Sequence, residues 1–154
     1  MSAVRHGVFA LIVLGLLPAC ASGRGDESLE SRISRLVDQT TKSEKAERKA
    51  FRELESIGNQ AVPYVVGHLG DVRPLAVREI TFENKAQDAF EGVRHYGPNT
   101  VHDALAAILN QITGQSFVIV YNGATPQERE ENRRRWIEWC RSTYPDQAEI
   151  CSGK

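Results

Sequence analysis

The segment V-H-D-A-L-A-A-I-L-N-Q-I-T, residues 101–113, constrains this chain more than any other. Val101, Ala104, Leu105, Ile108, Leu109 and Ile112 recur at helical spacing and cover an unusually broad arc. A helix this apolar needs cover on most of its circumference, so it belongs at the centre of a mainly helical fold. Its ends are punctuated. Gly97-Pro98-Asn99 reads as a turn, Thr100 as an N-cap answered by Asp103, and Gly114 as the stop.

The same periodicity predicts helices on either side. Leu29, Ile33, Leu36 and Val37 fall at i, i+4, i+7 and i+8, a stripe that runs to about Gln39 before Thr40 and Thr41 interrupt it. Ser43 caps a second helix with Ala46, Ala50, Phe51, Leu54 and Ile57 on one face, and Gly58 ends it. A short third helix is predicted from about Gln60 to Leu69, with Pro63 tolerated in its first turn and Gly70 after it. Thr125-Pro126-Gln127-Glu128 combines a cap, a proline at the first position and a capping-box glutamate. The helix it opens runs to about Arg141, burying Trp136, Ile137 and Cys140 and leaving Trp139 partly exposed.

Two stretches between the helices are β-rich. Val77, Ile80 and Phe82 suit an extended piece, and Phe117 to Tyr121 (F-V-I-V-Y) is β-branched and aromatic, with the turn signal Asn122-Gly123 behind it. A lone strand is unstable, so the expectation is a two-stranded ribbon between Phe117–Tyr121 and Val77–Glu83, or else an ordered loop that plugs the core. Ala86 to Tyr96 carries a helical stripe through Ala89, Phe90 and Val93. The predicted class is mainly α: a single helical domain over residues 29–154 with one short β ribbon.

The amino terminus reads as an export signal. Arg5 and His6 precede an apolar run, Val8 to Leu17, too short for a spanning helix of roughly 18 or more residues. Leu17, Ala19 and Cys20 resemble the lipobox of bacterial lipoproteins, with Pro18 where Ala, Ser or Thr is more usual. The resemblance implies a signal peptide over residues 1–19 and an acylated Cys20 tethering the chain to a membrane. With Ala21 next, it also implies the outer membrane, facing the periplasm. Ala19-Cys20-Ala21 fits ordinary secretory cleavage after Ala21 as well. Residues 20–28 are small, polar and glycine-containing, as suits a flexible tether.

Removing residues 1–19 from the 154 leaves 135, enough for one domain with a modest core. The loss of Arg5 leaves 18 basic against 20 acidic residues, which gives no electrostatic case for a nucleic-acid partner. With Cys20 acylated or discarded, Cys140 and Cys151 make an even pair in an oxidising space, and a disulfide pinning the carboxyl-terminal tail to the last helix is the expectation. The alternative is a reactive thiol at Cys140, which has neither C-x-x-C spacing nor a nearby histidine.

Leu54, Ile57-Gly58, Ala61-Val62-Pro63, Tyr64, Val65, Val66, Leu69 and Asp71 resemble a HEAT-type repeat over roughly residues 44–72. In that family the first helix ends near the glycine and Ala-Val-Pro opens a second that packs back on it. One repeat cannot bury both its sides, since a solenoid needs about three. The resemblance therefore implies a HEAT-like or armadillo-like unit built into a small domain and covered by the central apolar helix.

Chemical motifs are sparse. No Gly-rich phosphate loop, no G-x-S-x-G and no metal-ligand spacing occurs, so neither a cofactor nor a metal is expected. His95, His102 and Asp103 are the nearest approach to an acid–base set. His68, at a helix end, suits the helix dipole. Arg133-Arg134-Arg135 follows Glu128, Glu130 and Glu131, as on a solvated helix face. The sequence thus supports a non-catalytic envelope lipoprotein that binds another protein, as an assembly factor or as an inhibitor or immunity protein. The alternative is a small periplasmic hydrolase or sugar-binding protein using His95, His102 and Asp103 in a pocket lined by Tyr96 and Tyr121. Convergence of those side chains in one concavity would favour the second; dispersion would favour the first.

Overall fold

The computed structural model describes residues 27–84 and 90–153. The expected signal, Cys20 and residues 21–26 of the expected tether lie outside them. The elements are α1 (Leu29–Gln39), α2 (Glu44–Ile57), a 3₁₀ turn (Gly58–Ala61), α3 (Val62–Gly67), β1 (Ile80–Glu83), β2 (Val93–Tyr96), α4 (Val101–Thr113), α5 (Pro126–Thr143) and two carboxyl-terminal 3₁₀ turns, Pro145–Gln147 and Ile150–Ser152. The fold is mainly helical with one short antiparallel ribbon.

Local chemistry sets the helix starts. Ser28, Ser43, Thr100 and Thr125 each accept from the backbone N–H three residues on, at 3.2 to 3.4 Å. At Thr100 and Thr125 the exchange is reciprocal, because Asp103 and Glu128 accept from the cap residue's own N–H. Ser28 and Glu27, at the end of the expected tether, already belong to this architecture: Ser28 caps α1 and Glu27 binds Arg35 at 2.9 Å.

Every residue of α4 from Val101 to Leu109 is buried. It packs against α2, α3 and the turn between them, so the apolar segment does occupy the centre. The predicted third helix resolves into the 3₁₀ turn and six residues of α3, whose Val62, Pro63, Val65 and Val66 are buried. The main neighbours of α3 are α4, α5 and the Ile150–Ser152 turn. Gly67 and Gly153 make that last contact: a Cβ on Gly67 would lie 2.6 Å from the Ile150 carbonyl oxygen, and one on Gly153 would lie 2.8 Å from the Gly67 carbonyl oxygen. The tail is also held covalently, since Cys140 and Cys151 form a disulfide with Cα atoms 6.0 Å apart. On α5, Asn132, Trp136 and Cys140 are buried at four-residue spacing, and Trp136 meets Phe117 and Trp139 edge-on at 4.9 and 5.4 Å. Ile137 and Trp139 are half-buried.

The ribbon is not the expected one. β1 pairs with β2, Ile80 opposite Tyr96 and Glu83 opposite Val93, while Phe117–Tyr121 forms no strand. Val93–Tyr96 is therefore a strand where a helical stripe was expected; residues 85–89 of that stripe lie outside the described residues. The stripe misleads because Phe90 and Val93 face water, Phe90 fully exposed and Val93 at 41 %. The inward side chains of β2 are Arg94, whose Nε donates to Asn84 Oδ1 at 3.0 Å, and Tyr96, edge-on to Tyr121 at 5.4 Å. A hydrophobicity pattern undervalues both. Phe117–Tyr121 takes the other expected form, a loop that plugs the core with Val120 and Tyr121, its backbone satisfied in part by Asn132 Nδ2 donating to the Val118 carbonyl at 2.7 Å.

Candidate functional site

The three acid–base candidates do not converge. His95 is exposed on the outer face of the ribbon, its Nδ1 3.2 Å from Thr81 Oγ1. His102 is fully buried in the first turn of α4, where Nδ1 accepts from the Gly70 N–H at 3.0 Å. Acceptance at Nδ1 leaves the proton of the neutral ring on Nε2, which makes no hydrogen bond. Burial pushes His102 down to about 4, against the opposing charge of Asp103, while the charges of Arg129 and Arg133 push the same way as burial.

Asp103 is equally committed. Its carboxylate is fully buried and takes a two-point contact from Arg129, Nε to Oδ1 at 2.7 Å and a terminal nitrogen to Oδ2 at 2.9 Å. Oδ2 also accepts from the backbone N–H groups of Asn99 and Thr100 at 3.0 and 3.2 Å. This carboxylate caps α4 and joins it to α5. Tyr121 donates or accepts at Ser116 Oγ, 3.0 Å away, and its neighbour Tyr96 packs on it, so the two rings fill core rather than line a pocket with the histidines.

One serine–histidine contact escaped the sequence. Ser34 Oγ of α1 lies 3.1 Å from His68 Nε2 at the end of α3, beside a cleft edged by Glu30, Tyr64 and Gly153. The two residues are 34 apart in the chain, so no motif marks them. Nucleophilic catalysis needs a third group to orient the imidazole. Among the described residues no carboxylate reaches His68, and Asp71, the acid whose charge acts on it most, is held by Arg73 at 2.6 Å. Burial lowers the His68 pKa despite Asp71, so the pair acts as a neutral tie between α1 and α3.

A cavity of about 240 Å³ lies between α2 and β1. Phe51, Ile80 and Phe82, all nearly buried, form its floor, with Phe51 and Phe82 edge-on at 6.5 Å. Arg48, Arg52 and Glu55 rim it on the helix side, and Glu79, Thr81 and Glu83 on the strand side. Gln111 ties the helix side to the strand side, its Nε2 reaching Glu55 Oε1 at 3.1 Å and the Glu83 carbonyl at 2.8 Å. Consecutive residues 79–83 all line the cavity, as a strand edge does and a strand face cannot. Sequence reasoning placed Ile80 and Phe82 on an extended piece and Phe51 on a helix face; that they share a groove depends on tertiary packing.

Among the described residues no group of three His, Cys, Asp or Glu side chains is placed to hold a metal ion, and no helix is long and apolar enough to cross a membrane. Comparison with protein-family models, with characterised proteins and with solved structures found no match, so the functional reading rests on the geometry.

Proposed function

We propose that this chain is a lipid-anchored protein of the bacterial cell envelope whose HEAT-like helical domain binds another protein without catalysing a reaction, as an assembly factor or as an inhibitor or immunity protein. The dispersal of His95, His102 and Asp103 is the observation that carries the choice between binding and catalysis. One histidine is on an outer ribbon face, one is a buried hydrogen-bond acceptor, and the aspartate is consumed by a helix cap and Arg129. Acid–base work requires such groups within reach of one substrate atom. Anchoring is supported by Leu17-Pro18-Ala19-Cys20 after a short apolar run.

Two measurements test this reading. Mass spectrometry of the mature protein should find a diacylated Cys20 at the amino terminus, and a free Ser22 would contradict the anchor. Envelope photo-cross-linking should give a discrete adduct that survives His95→Ala. A hydrolytic activity lost in His95→Ala, with the fold intact, would contradict the binding reading.

A further inference from the structure

We propose that the outer edge of β1 is a strand-addition site for an extended peptide of a partner protein, with basic residues four positions apart flanking an apolar–X–apolar centre. The proposal rests on the binding-module reading and specifies the chemistry of the partner.

The register shows which backbone groups are free. Asn84 N–H donates to the Gly92 carbonyl at 2.9 Å, one step beyond the Glu83–Val93 pair in the same register. In an antiparallel ladder, hydrogen-bonded and non-hydrogen-bonded pairs alternate. Ile80 and Phe82 therefore bond to β2, while the main-chain groups of Thr81 and Glu83 turn away from it. Gln111 Nε2 meets the Glu83 carbonyl on that outer side, which places the outer edge along the α2 groove. Among the described residues no hydrogen bond reaches the backbone N–H or C=O of Thr81, or the N–H of Glu83, and the sheet ends at β1. An exposed edge of this kind is a template for one more strand.

Side-chain alternation then fixes what that strand carries. Ile80 and Phe82 face inward and Thr81 and Glu83 outward, so added residues opposite Ile80 and Phe82 would enter the groove above Phe51 and should be apolar. Residues opposite Glu79 and Glu83 would stand beside carboxylates and should be basic. A second copy of the chain does not fit this pattern. Symmetric pairing about Thr81 would set Glu79 of each copy directly opposite Glu83 of the other, and like charges directly opposite are destabilising. The carboxylates that keep two copies apart would select a basic partner.

The test uses isotope-labelled, lipidated protein in detergent micelles, titrated with the acetylated, amidated peptide Gly-Lys-Val-Thr-Leu-Lys-Gly and with its counterpart carrying Glu in place of both Lys. The expected result is chemical-shift change at the amides of Thr81 and Glu83, with the charge-reversed peptide weaker by about tenfold. Thr81→Pro removes an outward N–H, a substitution an edge strand tolerates, and should abolish binding while spectra of the helices persist. Should that variant fail to fold, the pair Glu79→Lys and Glu83→Lys should invert the preference between the two peptides. Shifts confined to another surface, binding unchanged by Thr81→Pro, an unaltered charge preference in the lysine pair, or a dimer that Thr81→Pro dissociates would each overturn the proposal. A partner cross-link that survives Thr81→Pro would remove this site and leave the binding-module reading standing. Peptide binding at Thr81 in a protein whose hydrolytic activity needs His95 would do the reverse.

Discussion

Acidification should destabilise this protein through His102, in a window it shares with His68. The ring is fully buried, and burial holds its pKa at about 4 against an ordinary 6.5. The unfolded chain therefore takes up a proton as pH falls through about 6.5, whereas the folded protein resists until about 4. Stability present above pH 6.5 is lost as pH falls through 4. At about 1.4 kcal/mol per pH unit, the gap corresponds to about 3 kcal/mol, a large part of the 5–15 kcal/mol typical of a domain. Urea denaturation at intervals from pH 7.5 to 4 gives the wild-type loss. His102→Asn supplies the control, because its side-chain carbonyl can accept from the Gly70 N–H in place of Nδ1 without titrating. It should begin less stable, from the void it leaves, and then lose about 3 kcal/mol less than wild type across the interval. His68 titrates in both proteins and cancels in the comparison. Glu131, held down to about 2 by Arg134 and Arg135, and Asp71, lowered by Arg73 although burial opposes it, enter only at the acid end of the interval and do so in both proteins alike. The Glu47 carboxyl, raised by burial, acts in the opposite sense in both proteins. Parallel curves for wild type and His102→Asn would refute the reasoning.

Further outcomes follow from the core and its ties. Leu105→Ala, at the centre of α4, should cost about 2 to 5 kcal/mol by chemical denaturation, against well under ~1 kcal/mol for Arg134→Ala on the exposed face of α5. Reducing the Cys140–Cys151 disulfide should lower stability by about 3 kcal/mol without unfolding the domain, since most of the core precedes residue 140; thiol labelling before and after reduction checks the bond. Asp103→Ala strands the Arg129 guanidinium and the N–H groups at the start of α4, and should cost about 3 to 5 kcal/mol; Arg129→Met added to it should restore part of the loss in a double-mutant cycle.

Helices were legible in the sequence where their determinants are local. Ser43, Thr100 and Thr125 announce their helices because a cap needs only its own next turn, and the apolar arc of α4 is contained in thirteen residues. The ribbon was not legible, because Phe117–Tyr121 has the stronger strand composition but Ile80–Glu83 has the nearer partner in Val93–Tyr96. The inward-facing residues of β2, Arg94 and Tyr96, are amphipathic, so the buried face did not read as apolar. Site residues divide along the same line. Cys140 and Cys151 could be paired by counting, whereas the groove joins Phe51 to a strand about thirty residues further along the chain, and Ser34 meets His68 only because α1 lies beside α3. Neighbouring positions in the chain also misled: His102 and Asp103 are adjacent, yet one turns to Gly70 and the other to Arg129.

Site-specific photo-cross-linking in intact envelopes tests the central claim most directly. A photoreactive residue is placed at Arg52, on the groove rim, or at Arg135, on the exposed face of α5, in the otherwise native chain. The account predicts a discrete membrane-fraction adduct from Arg52 that Thr81→Pro abolishes, and no equivalent adduct from Arg135. Equal labelling from both positions, or no adduct from either, would contradict it, and an Arg52 adduct indifferent to Thr81→Pro would remove the strand-addition site alone.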